Sequence, residues 1–146
     1  MTDVLGWRKK FGVLGPSTNT VVQPEFDEMR PDGVTNHYSR IFTPNAHAVS
    51  NETFMNATQV IADRVLDAVE SVMTCSPDYL VMGMSAITFY GGLKGANEFQ
   101  SKVEDASGIG VSVGSHATDH QEALVVGADI EHRVLLREEI RLDRKQ

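Results

Sequence analysis

The chain has 146 residues, 41% of them hydrophobic, which suffices for one buried core and is too short for two full domains. Its 13 lysines and arginines against 20 aspartates and glutamates give a formal charge of -7, which argues against a nucleic-acid partner. No apolar run reaches the roughly 20 residues that span a bilayer, no secretory leader pattern is present, and a single cysteine excludes an intramolecular disulfide, so we expect a cytoplasmic protein without a membrane partner.

The first predicted unit is a strand, a polar turn and a helix. Residues 11–15 form the strand and residues 16–20 the turn, and Pro24 suits the first turn of a helix, where its missing N–H costs no hydrogen bond. The polar side chains at the carboxyl end of this strand are Ser17, Thr18, Asn19 and Thr20. Two roles fit them: they bind a ligand, or they cap the helix.

A second strand is predicted over residues 34–43, after the turn signal of residues 31–33. The loop over residues 43–50 either folds over a site as a lid that carries Arg40 or His47, or it is a solvated loop.

The clearest helix is predicted over residues 51–73, with Ser50 or Asn51 as its cap. Its apolar stripe consists of Phe54, Ile61, Val65, Val69 and Val72. Cys75 follows, at the amino end of the next strand. Ligands bind at the opposite end of such strands, so we interpret this cysteine as structural.

Residues 80–92 begin as an apolar run and continue with glycine and hydroxyl residues. A buried parallel strand, covered on both faces, is predicted over residues 78–84 because its apolar residues do not alternate with polar ones. The hydroxyl groups that follow belong to Ser85, Thr88 and Tyr90, and glycines allow backbone N–H groups to approach a ligand. The pattern fits an anion-binding turn, and it fits a plain connection from strand to helix equally well.

A helix over residues 93–106, ended by Gly108, and a fourth strand over residues 109–113 complete the predicted sheet. Residues 114–118 form a third polar turn. His116 and His120 share a helical face, but no third ligand follows them, so we predict no metal. The prediction is therefore an α/β, Rossmann-like three-layer parallel sheet of about four strands, followed by a charged tail or helix over residues 129–146.

Two stretches carry recognisable motifs. Gly12-Val-Leu-Gly-Pro-Ser-Thr-Asn-Thr-Val-Val-Gln-Pro-Glu25 contains a proline–serine–x–asparagine–threonine turn, and Met82-Gly-Met-Ser-Ala-Ile-Thr-Phe-Tyr-Gly91 follows the third strand. Together they resemble the aspartate/glutamate racemase superfamily, in particular its maleate cis-trans isomerase and arylmalonate decarboxylase branch. The resemblance covers residues 8–128 and implies that residues 1–128 form one half of a two-domain family fold.

Members of that family are enzymes without a cofactor, in which hydroxyl and backbone N–H groups hold a substrate carboxylate and a thiol attacks or moves a proton. The resemblance implies that Asn19 binds a carboxylate in a turn shaped by Pro16 and Ser17. It also implies that Ser85 and the Met84 backbone form part of an oxyanion hole. No cofactor and no metal are implied, and the expected partner is a small dicarboxylate.

The chain departs from the family at its catalytic thiols. The first family cysteine falls on Gly83, as in the decarboxylases, and Met84 replaces the usual threonine. The second half of the fold, which supplies the other cysteine, has no counterpart, and Cys75 aligns with neither thiol. We assign no catalytic residue and expect a truncated, impaired isomerase or decarboxylase-like protein for a maleate- or arylmalonate-type substrate.

Two other functions fit the sequence. The first is a non-catalytic carboxylate-binding or interaction module, completed by a partner chain or by self-association across the exposed sheet edge. The second is a flavodoxin-like nucleotide binder that uses residues 16–20, against which counts the lack of a glycine-rich phosphate fingerprint.

Overall fold

A computed structural model describes residues 3–44, 50–89 and 92–116 of the chain. All of the secondary-structure elements given below belong to one unit, Met1–Ser115. Several sequence predictions lie outside the described residues: His47, Tyr90, His120, the domain boundary at residue 128 and the charged tail.

Strands and helices alternate along the described chain. The elements are β1 (Lys9–Pro16), α1 (Val22–Met29), β2 (Val34–Ile41), α2 (Asn51–Met73), β3 (Tyr79–Met82), α3 (Ala86–Phe89), α4 (Gly92–Ser107) and β4 (Val111–Ser112). The four strands are parallel, in the order β2-β1-β3-β4. This is the predicted α/β, Rossmann-like sheet. Its winding reverses between β1 and β3, and in such sheets ligands bind beyond the carboxyl ends of the strands at that reversal.

One face of the sheet carries the core of the protein. Leu14, Ile41, Leu80 and Val111, one from each strand, are at most 1% exposed. The predicted apolar stripe of α2 packs against them through Ile61, Val65, Val69 and Val72, and α4 adds Phe99 and Val103. The stripe is therefore confirmed for these four residues of α2.

The other face of the sheet is only partly covered by the described residues. Helix α1 lies on it, with the Phe26 carbonyl accepting a hydrogen bond from Asn36 Nδ2 (2.7 Å). Beside α1, Val81 is half-buried and Tyr79 is 38% exposed. The prediction that the third strand is covered on both faces is wrong for this part of the chain, and β3 is also shorter than the predicted residues 78–84.

The ends of two helices form at the predicted signals. Ser50 Oγ accepts from the Thr53 N–H (3.2 Å), and the Thr53 hydroxyl accepts from the Ser50 N–H (3.1 Å), a reciprocal capping box at the start of α2. After α4, Gly108 adopts a φ of 73° and its N–H donates to the Glu104 carbonyl (2.8 Å). A left-handed glycine ends many helices in this way.

Helix α3 was not predicted. Its four residues include isoleucine, threonine and phenylalanine, which have weak intrinsic helix propensity. Ile87 is nevertheless buried in the core, with 6% of its surface exposed. Burial of this side chain gives the segment a stabilisation that local propensity does not reveal.

The amino ends of β1 and β3 are joined by Asp78. Its N–H donates to the Lys10 carbonyl (2.8 Å), its Oδ2 accepts from the Lys10 N–H (2.8 Å), and its Oδ1 lies 3.3 Å from Lys9 Nζ. The hydrogen bond from Lys10, followed by that from Lys9, holds the pKa of Asp78 below its ordinary value. These bonds fix the register of the two central strands.

Among the described helices, none combines the length and the apolar character needed to cross a bilayer. Helix α2 has 23 residues, but it carries acidic and basic side chains outside its apolar stripe.

The packing predicts that truncation of two leucines lowers the free energy of unfolding by different amounts. Leu80 is fully buried in β3, whereas Leu66 on α2 is 36% exposed. We expect Leu80→Ala to lower the free energy of unfolding by about 2–5 kcal/mol, and Leu66→Ala to change it by about 0.5 kcal/mol or less. Urea titrations of the two variants measure both values, and equal losses would contradict the assignment of the core.

Candidate functional site

The turn between β1 and α1 is fastened to the end of β2. The Ser17 N–H donates to the Ile41 carbonyl (2.8 Å), and Ser17 Oγ accepts from the Thr43 N–H (2.9 Å). The same hydroxyl donates to the Thr43 carbonyl (3.4 Å). Buried Pro16 contributes its carbonyl, which accepts from the Asn19 N–H (3.0 Å). Ser17 and Pro16 thus shape the turn, and the Ser17 hydroxyl already donates its hydrogen bond to a protein carbonyl.

Asn19 holds the start of α1 through its side chain. Oδ1 accepts from the Val21 N–H (2.9 Å) and from the Val22 N–H (3.0 Å). The N-cap residue of α1 is Val21 and no side chain caps it, so the predicted capping role is not observed in its usual form, and the Asn19 oxygen instead fixes the turn that leads into the helix. The two bonds fix the plane of the carboxamide. Its Nδ2 has no protein partner within the described residues, so two N–H donors are available beside the turn.

Arg40 holds the same turn from β2. Its Nη1 donates to the carbonyls of Ser17 (3.1 Å) and Asn19 (3.2 Å), and its Nη2 donates to Gln23 Oε1 (3.2 Å). The hypothesis that a lid carries Arg40 over the site is wrong, because Arg40 belongs to β2. Arg40 instead lies in the strand next to β1, where it pairs with Gly15. It adds a positive charge beside Asn19.

Tyr38 lies beneath Arg40. The guanidinium carbon of Arg40 is 5.2 Å from the centre of the Tyr38 ring. The Tyr38 hydroxyl fills the space that a side chain at Gly15 would need, and it is buried without a hydrogen-bond partner among the described residues. Burial raises the pKa of this phenol, against the opposing effect of the Arg40 charge. The phenol is therefore neutral near neutral pH.

At Gly83, the turn after β3 packs closely against the start of α1. Its N–H donates to the Leu14 carbonyl (2.7 Å), which continues the pairing of β1 and β3. A Cβ at Gly83 would lie 2.7 Å from Val22 Cγ1 and 3.3 Å from the Leu14 oxygen. Val22 is also the residue whose N–H donates to Asn19, so Asn19 and Gly83 belong to one site. A side chain at residue 83 would require Val22 to shift.

Two further groups line the end of β3. Within the described chain the Met84 N–H has no hydrogen-bond partner, while the Met84 side chain packs against the core. Ser85 is exposed and lies beside the turn after β4, where a Cβ at Gly114 would be 3.6 Å from the Ser85 Cβ. The residues that directly follow β3 and β4 therefore lie next to each other. Sequence reasoning did not single out Ser115, which is 8% exposed and whose hydroxyl is buried without a partner among the described residues.

Cys75 lies at the other end of the sheet. Lys10 Nζ, at the amino end of β1, donates to the Cys75 carbonyl (2.7 Å), and Cys75 Sγ donates to the Val72 carbonyl (3.0 Å). Burial raises the pKa of the thiol, while the Lys10 charge opposes this effect. The predicted position at the amino end of β3 is confirmed, and this thiol is remote from Asn19 and Gly83.

The described part of the site offers hydrogen-bond donors and one cation. Asn19 Nδ2 and the Met84 N–H are uncharged donors, and Arg40 supplies a positive charge. In the described ranges no group of three histidine, cysteine, aspartate or glutamate side chains could hold a metal ion. An arrangement of this kind suits an anion such as a carboxylate.

We compared the chain with known protein families and with curated proteins, and neither comparison gave a match.

The contact between Val22 and Gly83 predicts the result of placing a cysteine at residue 83. We expect Gly83→Cys to lower the free energy of unfolding by about 1–3 kcal/mol, because the new side chain overlaps Val22. Adding Val22→Ala should recover part of the loss. Denaturant unfolding measures both values.

Gly114→Cys is the matched control, since a Cβ there makes only ordinary contacts. If Gly83→Cys proves as well tolerated as Gly114→Cys, the close packing of α1 on Gly83 is wrong.

Proposed function

We propose that the chain binds a small dicarboxylate at the carboxyl ends of β1 and β3, as a catalytically impaired relative of the maleate isomerases and arylmalonate decarboxylases. The observation that supports this most directly is the Asn19 side chain. Its oxygen is held by two backbone N–H groups, and its nitrogen has no protein partner in the described chain. A donor fixed before the ligand arrives loses little conformational freedom on binding.

The remaining groups supply the second contact and the charge. The Met84 N–H follows β3, the strand adjacent to β1, so it can donate to a ligand that Asn19 also contacts. Arg40 is exposed, and its bonds to the Ser17 and Asn19 carbonyls place its charge at the turn. A positive potential there attracts a dianion and strengthens at low ionic strength.

Chemistry on the bound acid would need a base or a nucleophile within reach. Among the described residues considered for this role, Gly83 provides neither, the Tyr38 phenol stays neutral, and Cys75 lies at the opposite end of the sheet. Isomerisation through a covalent adduct and proton transfer both require such a group. We therefore infer binding with little or no turnover.

A second candidate function is a purely non-catalytic carboxylate-binding module. The crowding of Gly83 by Val22 favours it, because a side chain at the position of the family thiol would overlap Val22. The two functions share the same ligand and differ only in whether product forms.

Replacing Asn19 separates its two roles. Asn19→Asp keeps an oxygen for the Val21 and Val22 N–H groups, so we expect a free energy of unfolding within about 0.5 kcal/mol of the unmodified chain. It replaces the donor nitrogen by a second carboxylate oxygen, so binding of maleate, malonate and phenylmalonate should be lost. Asn19→Ala should lose binding and also about 1 kcal/mol of stability. Calorimetric titration and thermal unfolding measure the two effects.

Asn97→Asp, on the exposed surface of α4, makes the same change in charge and should bind like the unmodified chain. The proposal fails if the unmodified chain binds none of the three acids, or if Asn19→Asp binds them equally well. Product formation at an appreciable rate would contradict the inferred loss of activity.

A further inference from the structure

An apolar surface lies away from the carboxylate site, on the partly covered face of the sheet. A cavity of about 270 Å³ opens between α1 and the strands there. Its lining is mainly apolar and comprises Phe11, Phe26, Met29, Pro31, Val34 and Val81. We call this cavity together with the neighbouring Val4, Leu5 and Trp7 the α1 face.

Apolar side chains project beside this cavity. Met29, the last residue of α1, is 70% exposed, and Trp7 is 59% exposed. A second, more polar depression, lined in part by Val4, Leu5 and Trp7, adjoins the cavity at Arg30 and Pro31. Exposed apolar side chains grouped beside an apolar cavity are typical of a binding surface.

Trp7 is held in position even though it is exposed. Its indole ring packs on Gly33, where a Cβ would lie 2.6 Å from Trp7 Cε2. Gly33 has a φ of 79°, a conformation that favours glycine, and its carbonyl accepts from the Arg8 N–H (2.8 Å). A large side chain that is already ordered loses little entropy when a partner covers it.

Charges of both signs surround this surface. Asp27, Arg30 and Asp32 line the second depression, and Arg8 Nη1 donates to the Asp32 carbonyl (3.2 Å). The whole chain carries a formal charge of -7, so most faces of two copies would repel each other. Here two arginines offset two aspartates, and an arginine of one copy can meet an aspartate of another.

We propose that the α1 face is an interface between two copies of this chain, related by a twofold axis. Such an interface pairs one surface with itself, so it needs projecting groups and a recess on the same face. The α1 face has both, because Trp7 and Met29 project from it and the 270 Å³ cavity is the recess. Tryptophan, methionine and arginine are also the residues enriched in interface cores. The contact involves this face and not the sheet edge, and it does not depend on the carboxylate site.

Two substitutions with the same change in charge test the proposal. Met29→Glu places a carboxylate on the α1 face, and Leu93→Glu places one on α4, where Leu93 is 61% exposed. By light scattering, the unmodified chain and Leu93→Glu should have twice the 16.0 kDa mass of one chain, and Met29→Glu should have the mass of one. Circular dichroism should show the same fold in all three.

Trp7, the single tryptophan, gives an independent signal. Its emission should shift to longer wavelength when the unmodified chain is diluted, and should stay at the long-wavelength position at every concentration of Met29→Glu. A chain that remains monomeric at all concentrations overturns the proposal. So does a dimer that Met29→Glu leaves intact, or one whose dilution leaves the Trp7 emission unchanged.

Discussion

The contact of Val22 with Gly83 determines the geometry of the whole candidate site. It sets the first residue of α1 directly on the end of β3, at the point where the winding of the sheet reverses. Because Asn19 accepts a hydrogen bond from that same residue, the turn before α1 and the end of β3 cannot move independently. The absence of a side chain at Gly83 allows α1 to approach closely enough to bring Asn19 to the site.

The same contact explains why the proposed site offers donors for a ligand but no reacting group. Arg40 and Ser17 hold the turn through backbone groups, which leaves the Asn19 nitrogen and the Met84 N–H for a ligand. These are donors, and they stabilise an anion without reacting with it. A side chain at residue 83 would be the nearest place for a reacting group, and Val22 occupies the space that it would need.

The elements with local signals could be predicted from the sequence. The bounds of α2, its Ser50 cap and the end of α4 at Gly108 each depend on residues within one or two turns, and all three were predicted. The bonds from Arg40 to the β1–α1 turn span more than 20 positions and have no local signature. The contact of Val22 with Gly83 is likewise set by how α1 packs on the sheet. The sequence singled out Asn19 but left open whether it binds a ligand or caps the helix, because that choice depends on where two backbone N–H groups point.

The most direct test of the account follows the Asn19 side-chain amide by nuclear magnetic resonance during a titration with maleate. Its Nδ2 signals can be assigned by their loss in the Asn19→Asp chain. If maleate binds as proposed, these signals and the Met84 N–H signal shift together and saturate at the same maleate concentration. The N–H signals of Val21 and Val22 move little, because their hydrogen bonds to Asn19 Oδ1 persist. Saturable binding that leaves the Asn19 amide unchanged would contradict the account.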